Sequence, residues 1–120
     1  MYEIIFYRMS NGKEPVYDYI KELKNKSDKD SRIKLNKIND YIQALSIYGA
    51  SQLTGNYAKH LSSDIWELRP MRDRILFVYD GERYVLLHRF MKQTQKTPVY
   101  EIEKAKREYI DYLIRRDNNG

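Results

Sequence analysis

The sequence predicts an α+β fold: a strand, two helices, an antiparallel three-strand meander and a closing helix. Three observations predict it. Tyr2 to Tyr7 is β-branched and aromatic. From Val16 to Leu45 apolar residues recur at three- and four-residue spacing. From Asp64 to Met91 the period changes to two. Helices on one side of a largely antiparallel sheet are the architecture this order implies. At 120 residues the expectation is a single domain spanning 1–120.

The elements follow in order. After the opening strand, Ser10-Asn11-Gly12 is a turn cluster, and Pro15 suits the first turn of a helix. Val16, Ile20 and Leu23 give that helix an apolar stripe ending near Asn25. Ser27 is expected to cap the next helix, with Asp28 and Asp30 favourable in its first turn. Leu35, Ile38, Ile42 and Leu45 form its stripe, and Gly49 stops it. Ala50 to Tyr57, small and polar, reads as a loop. Asp64 to Arg69 is then a strand ended by Pro70, and Arg74 to Tyr79 is the next. Asp80-Gly81 is a hairpin turn, and Arg83 to Met91 is the third strand of the meander. Its middle, Tyr84 to Leu87, is apolar on both faces, as in a central strand. Thr97 as cap and Pro98 as first residue open the last helix, with Ile102, Lys106, Tyr109 and Leu113 on one face. Arg115 to Gly120 reads as a frayed end.

Composition sets aside several kinds of chemistry. With no cysteine there is neither a disulfide nor a thiolate metal site. Only two histidines occur, His60 and His88, and no metal-ligand spacing is present, so no metal or cofactor is expected. The five glycines are scattered, which excludes a phosphate-binding loop, and there is no Gly-x-Ser-x-Gly elbow. The apolar start is broken by Arg8, too short for a signal or a span, so a cytoplasmic location is expected, with no membrane partner.

What remains is charge. Lys and Arg number 22 against 17 Asp and Glu, a net charge of +5. From Arg83 to Tyr100 there is no acid, whereas the Lys-rich stretch from Lys21 to Lys37 is interleaved with Glu22, Asp28 and Asp30. The first pattern makes a local positive field; the second is an ordinary solvated helix face. Alternation places Ile65, Glu67 and Arg69 on one face of their strand, with Trp66 and Leu68 on the other. On the third strand Leu86, His88, Phe90 and Lys92 are expected to share a face. The tight link at Pro70 to Asp73 brings Arg69, Arg72 and Arg74 together, which is costly unless an anion sits among them. Phosphate fits, because a planar guanidinium binds its oxygens in pairs.

That chemistry suits metal-free cleavage of RNA, in which the 2′-hydroxyl attacks the adjacent phosphate. Arg69 and Arg74 suit stabilisation of the developing charge. Lys92 suits a second cation or the acid, and His88 and Glu67 are alternatives for base and acid. Read from pattern alone, His88 is also a hydrogen-bonded core histidine and Trp66 a core anchor. The 12 tyrosines allow base stacking but lie largely on helix stripes.

Two stretches carry a resemblance. Ile65-Trp66-Glu67-Leu68-Arg69 followed by Arg74-Ile75-Leu76-Phe77-Val78-Tyr79 resembles the central signature of the RelE/ParE toxin superfamily. Leu86 to Pro98 (LLHRFMKQTQKTP) resembles the segment before the last helix in its phage-derived HigB-like branch, and Glu101-Ile102-Glu103 and Ala105 continue it. Lys59 and Leu61 fit the approach to the first motif. The resemblance implies a RelE-like fold and a toxin of a type II toxin–antitoxin system, a ribosome-dependent mRNA endoribonuclease. It also implies a cognate helix-turn-helix, HigA-like antitoxin, paired in a heterotetramer. Carried onto this chain, it assigns catalysis to Arg69, Arg74, His88 and Lys92, and RNA binding to Lys59, His60, Arg72, Arg89 and Lys96. Gln93 stands where many relatives have a second lysine. A ParE-like toxin, which blocks gyrase without cutting RNA, is the alternative of the same fold.

Overall fold

The computed structural model describes residues 1–119. In chain order these form β1 (Glu3–Phe6), α1 (Pro15–Lys24), α2 (Lys29–Tyr48), a 3₁₀ turn (Ala50–Leu53), β2 (Ala58–Ser62), β3 (Ile65–Leu68), β4 (Asp73–Tyr79), β5 (Arg83–Met91) and α3 (Val99–Asn119). The sheet order is β1-β5-β4-β3-β2. The predicted element order therefore holds, with one strand added: the antiparallel meander has four strands, because β2 pairs with β3 from Ala58↔Leu68 onward. β1 lies parallel to β5, Glu3 opposite Arg83 and Phe6 opposite Leu86. That pairing explains the doubly apolar middle of β5, which has a neighbour on each edge and helices over each face.

The helices are not confined to one side. On one face α1 and α2 lay Val16, Ile20, Leu23, Ile38 and Leu45 against Leu68, Ile75, Phe77 and Leu86. On the other, Ala105, Ile102 and Tyr109 of α3 cover Ile65, Leu76, Val78, Val85 and Leu87. The chain thus divides its apolar residues between two cores, and each fully buried aliphatic side chain contributes about 1.5–3 kcal/mol. Lys106 and Leu113, expected on the buried face of α3, are only half-buried; Ala105, one residue earlier than Lys106, takes the central place.

Local chemistry sets the helix ends. Pro15 opens α1. Asp28, rather than Ser27, caps α2: its carboxylate accepts from the Ser31 N–H at 3.0 Å and the Ser31 hydroxyl at 2.8 Å. Gly49 ends α2 at φ +81°, where a Cβ would stand 3.0 Å from the Tyr2 ring. α3 begins at Val99, and the Thr97 hydroxyl is turned elsewhere. Its last turns are held rather than frayed, since Tyr112 and Arg116 both reach Asp80 in the β4–β5 hairpin. Gly120 lies outside the described residues. No helix among those residues is long and apolar enough to cross a membrane.

A bulge decides what β5 presents. Leu76 pairs with His88 but Phe77 pairs with Leu86, leaving Leu87 as an extra residue. Beyond the bulge the alternation is inverted. Leu86 packs toward α1 and α2, while Leu87, His88 and Phe90 all point toward α3. The expectation that Leu86 and His88 share a face is thereby corrected.

Candidate active site

Residues at one end of the sheet, between the β3–β4 turn and the segment leading into α3, form a polar cleft. Glu67, Arg74, Lys92, Lys96 and Thr97 line it. Two elements hold it in shape. The Lys92 N–H donates to the Arg72 carbonyl at 2.7 Å, and the Arg72 guanidinium returns a bond to the Lys92 carbonyl at 3.2 Å. Those bonds clip the segment after β5 onto the β3–β4 turn.

Glu67 is the centre. It faces α3, as strand alternation requires, and is 2% exposed. The Thr97 hydroxyl donates to its Oε1 at 2.5 Å. Arg69 Nε stands 3.7 Å from Oε2 and Arg74 Nε 4.0 Å from Oε1. Each guanidinium also donates from Nη1 to carbonyls: Arg69 to Gly55 at 3.2 Å, Arg74 to Met71 and Asp73, both at 2.8 Å. Burial pulls the Arg74 guanidinium below its ordinary range; Glu67 opposes that effect and Arg69 adds to it. A guanidinium nonetheless stays charged at any physiological pH. Two cations therefore share one carboxylate at the longest ion-pair distances, with Lys92 and Lys96 on the same cleft wall. The enclosed space is small, about 10 Å³, so an oxyanion would meet these cations at the mouth of the cleft.

The sequence-predicted site residues do not all meet here. Arg74, Lys92 and Lys96 do; Arg69 stands next to the cleft through its 3.7 Å approach to Glu67, and Lys59, paired across the strands with Glu67, is exposed on the same face. Arg72 is exposed at the rim, and it clips the cleft rather than joining a triple-arginine cluster. The unscreened cluster expected at the β3–β4 turn is moderated by Glu67, which lies between Arg69 and Arg74. His60 is on the opposite face, its Nε2 at 2.7 Å from the Ser63 carbonyl and its ring 5.2 Å from Trp66. Arg89 is also on that face. It lies 2.5 Å from Asp73 and stacks on Tyr19, 3.8 Å from the ring centroid, so it holds α1 to the sheet and does not reach the cleft.

His88 is 2% exposed, with Nδ1 at 2.5 Å from Glu108 and Nε2 at 2.9 Å from Glu101. Both ring nitrogens are engaged by α3, and the ring is outside the cleft wall. Its placement does not support the expected acid or base role; it ties α3 to β5. Glu67, weighed in the sequence only as an alternative to it, lies instead in the cleft itself, between Arg69 and Arg74. Thr97, read as a helix cap, instead orients that carboxylate. Its signal was present in the Thr-Pro pair, but the competing acceptor thirty positions earlier was not visible from local pattern. No group of three His, Cys, Asp or Glu residues suited to a metal ion occurs among the described residues.

A family model described as Phage derived protein Gp49-like matches residues 18–110. Comparison with curated proteins returned no match. Among solved structures, the chain is similar to the YoeB-YefM complex from Staphylococcus aureus, with a TM-score of 0.51 and 17% identity over 78% of this chain and 99% of that one. It is also similar to the YoeB dimer from the same organism, with a TM-score of 0.51 and 18% identity over 78% of this chain and 97% of that one. At these identities the likeness is one of fold, and the fold is RelE-like.

Proposed function

Because the chain belongs to the Phage derived protein Gp49-like family, we propose that it is the toxin of a toxin–antitoxin pair and cuts mRNA on the ribosome. The observation that carries this reading is the pair of guanidiniums set around one buried carboxylate in a cleft walled by lysines. The RelE-like fold supports it, as does the presence of a second protein, YefM, in the YoeB complex it resembles. On this reading the antitoxin is HigA-like and carries a helix-turn-helix.

The proposed chemistry follows from the donors present. Glu67 takes the proton from the RNA 2′-hydroxyl, whose oxygen attacks the adjacent phosphorus. Arg74 holds the phosphoryl oxygens as negative charge grows on them, and it gains most from that charge at a site with little room for water. Lys92 delivers a proton to the departing 5′ oxygen. The P–O5′ bond breaks, leaving a 2′,3′-cyclic phosphate on one fragment and a 5′-hydroxyl on the other. Thr97 fixes the rotamer of Glu67, and Lys59 and Lys96 attract the strand electrostatically.

Purified protein is expected to cut mRNA on translating ribosomes, and Arg74→Ala to lower the rate about 100-fold, the usual loss when one preorganised oxyanion donor is removed. Fragment ends mapped by primer extension and kinase labelling should be a cyclic phosphate and a 5′-hydroxyl. Intact translated mRNA, together with trapped gyrase–DNA adducts, would overturn the reading in favour of a gyrase poison.

A further inference from the structure

On the far side of Arg74 from the cleft lies a second, open groove of about 350 Å³ that the chemistry above does not use. Lys37 and Tyr41 of α2, Asn56 of the loop before β2, and Arg69, Met71 and Arg74 line it. Arg74 is the shared wall, since it borders both the groove and the cleft. A strand of RNA whose reacting phosphate lies beside Arg74 must leave the cleft along one of its edges, and this groove is contiguous with one of them.

The groove's chemistry matches one nucleotide. Lys37 and Tyr41 stand one helical turn apart on the same face of α2, so a cation and an aromatic ring are presented together. Lys37 is exposed, and with Arg69 it gives the groove two cations for a single phosphate. The Tyr41 ring is steadied by Tyr57, their centroids 4.6 Å apart, and by the apolar core behind it. A ring fixed in advance loses little freedom when a base stacks on it. Asn56 adds an amide, which both donates and accepts and can pair with a base edge.

We propose that this groove is a nucleotide subsite: Lys37 and Arg69 hold the phosphate next to the one that is cut, and the base beside it stacks on Tyr41. The inference rests on the RNA-cutting reading and deepens it, because it makes the α2 face a determinant of which base neighbours the cut. The Lys-rich helix is then more than solvated charge at this one turn.

The test is cleavage of mRNA on translating ribosomes, with all four bases placed in turn on each side of the cut and kcat and KM measured separately. Lys37→Ala and Tyr41→Ala are expected to raise KM about tenfold, in line with the loss of one phosphate contact or one stacked base. Tyr41→Ala should also flatten the preference for the base next to the cut, and Tyr41→Phe, which keeps the ring, should restore it. Thermal melts accompany each variant, and Lys37→Ala, at an exposed position, keeps the test independent of packing losses at Tyr41. If wild-type protein cuts but all three variants match it in KM and base preference, the subsite is wrong and the nuclease reading stands. The subsite is equally wrong if Lys37→Ala weakens only the grip of the antitoxin, for the groove would then seat an acidic protein segment. If wild-type protein cuts nothing, both fall together.

Discussion

Asp80 and Glu67 both carry deeply buried carboxylates set between two arginines, one just after β4 and the other beside its start, and they are held in opposite ways. Asp80 is saturated. It accepts from the Glu82 and Arg83 N–H groups at 2.9 and 2.7 Å and from the Tyr112 hydroxyl at 2.8 Å, with Arg83 and Arg116 at 3.4 and 3.3 Å. Glu67 takes one hydroxyl, from Thr97, and its two arginines stay at 3.7 and 4.0 Å, each bonding carbonyls through Nη1. The same three charges thus make a closed fastening in one place and an open receptor in the other. The contrast teaches that ionic partners must be judged by how many donors they spend on each other. A surplus of cation at long range marks a site; a carboxylate with every lone pair filled marks a joint.

Neutralising each carboxylate is the direct way to break this comparison. Glu67→Gln should cost the largest effect, at least about 100-fold in cleavage rate, as expected for loss of a general base, with a melting temperature close to wild type. A variant that cuts normally would show that Glu67 is merely a spacer between two arginines.

Arg89 sharpens the contrast from the other face. Its guanidinium is committed to Asp73 and to the Tyr19 ring, so Arg89→Ala should destabilise the fold by about 3 kcal/mol in urea unfolding, the range for removing one member of a buried pair. A purely catalytic defect without lost stability would place Arg89 in the receptor class after all.

Asp80→Asn is expected to be smaller, about 1–3 kcal/mol at pH 7, because the amide keeps some of the hydrogen bonds. Its pH dependence has a definite sign. Burial raises the Asp80 carboxyl, but the N–H groups of Glu82 and Arg83, the Tyr112 hydroxyl and the charge of Arg83 outweigh burial and leave it below its ordinary value. A carboxyl lowered in the folded state stabilises fully above its unfolded value of about 4 and loses that contribution as pH falls through its folded value. The stability gap between wild type and Asp80→Asn should therefore close in acid below about pH 4. A gap that widens there would contradict the assigned role.

How much of this could be read beforehand depended on distance along the chain. Helix faces and the β3–β4–β5 hairpins came through because their signals are local: Ile38 to Leu45 spacing, Asp80-Gly81, the alternation around Trp66. β2 did not, since Ala-Lys-His-Leu-Ser carries little β-propensity and is a strand only because β3 offers it an edge. The α3 packing on the second face was hidden for a related reason, as both faces of β4 and β5 are apolar and neither names its cover. The site was half visible. Charge and motif singled out Arg74, Lys92 and Lys96, which the structure brings to one cleft, and Arg69 close by; what holds His88 away from it, the carboxylates of Glu101 and Glu108 on α3, lies 13 and 20 positions along the chain, where no local pattern points. The groove of Lys37, Tyr41 and Asn56 joins two elements far from β4 in sequence, and no local pattern links them.

The parallel pairing of β1 with β5 bears on how the molecule is built in time. Glu3 cannot find Arg83 until all of the chain between them has emerged from the ribosome, and closing so long a loop costs about 2–3 kcal/mol more entropy than closing a tight hairpin. The β2–β5 meander, whose strands follow one another closely, can assemble first, with β1 docking late onto the free edge of β5. The Lys92–Pro98 wall of the cleft lies beyond β5, so Glu67 of β3 and Arg74 of β4 are synthesised before the lysines opposite them. A chain interrupted during synthesis before that point lacks one wall of the cleft, which is complete only once the segment that follows the sheet has been made.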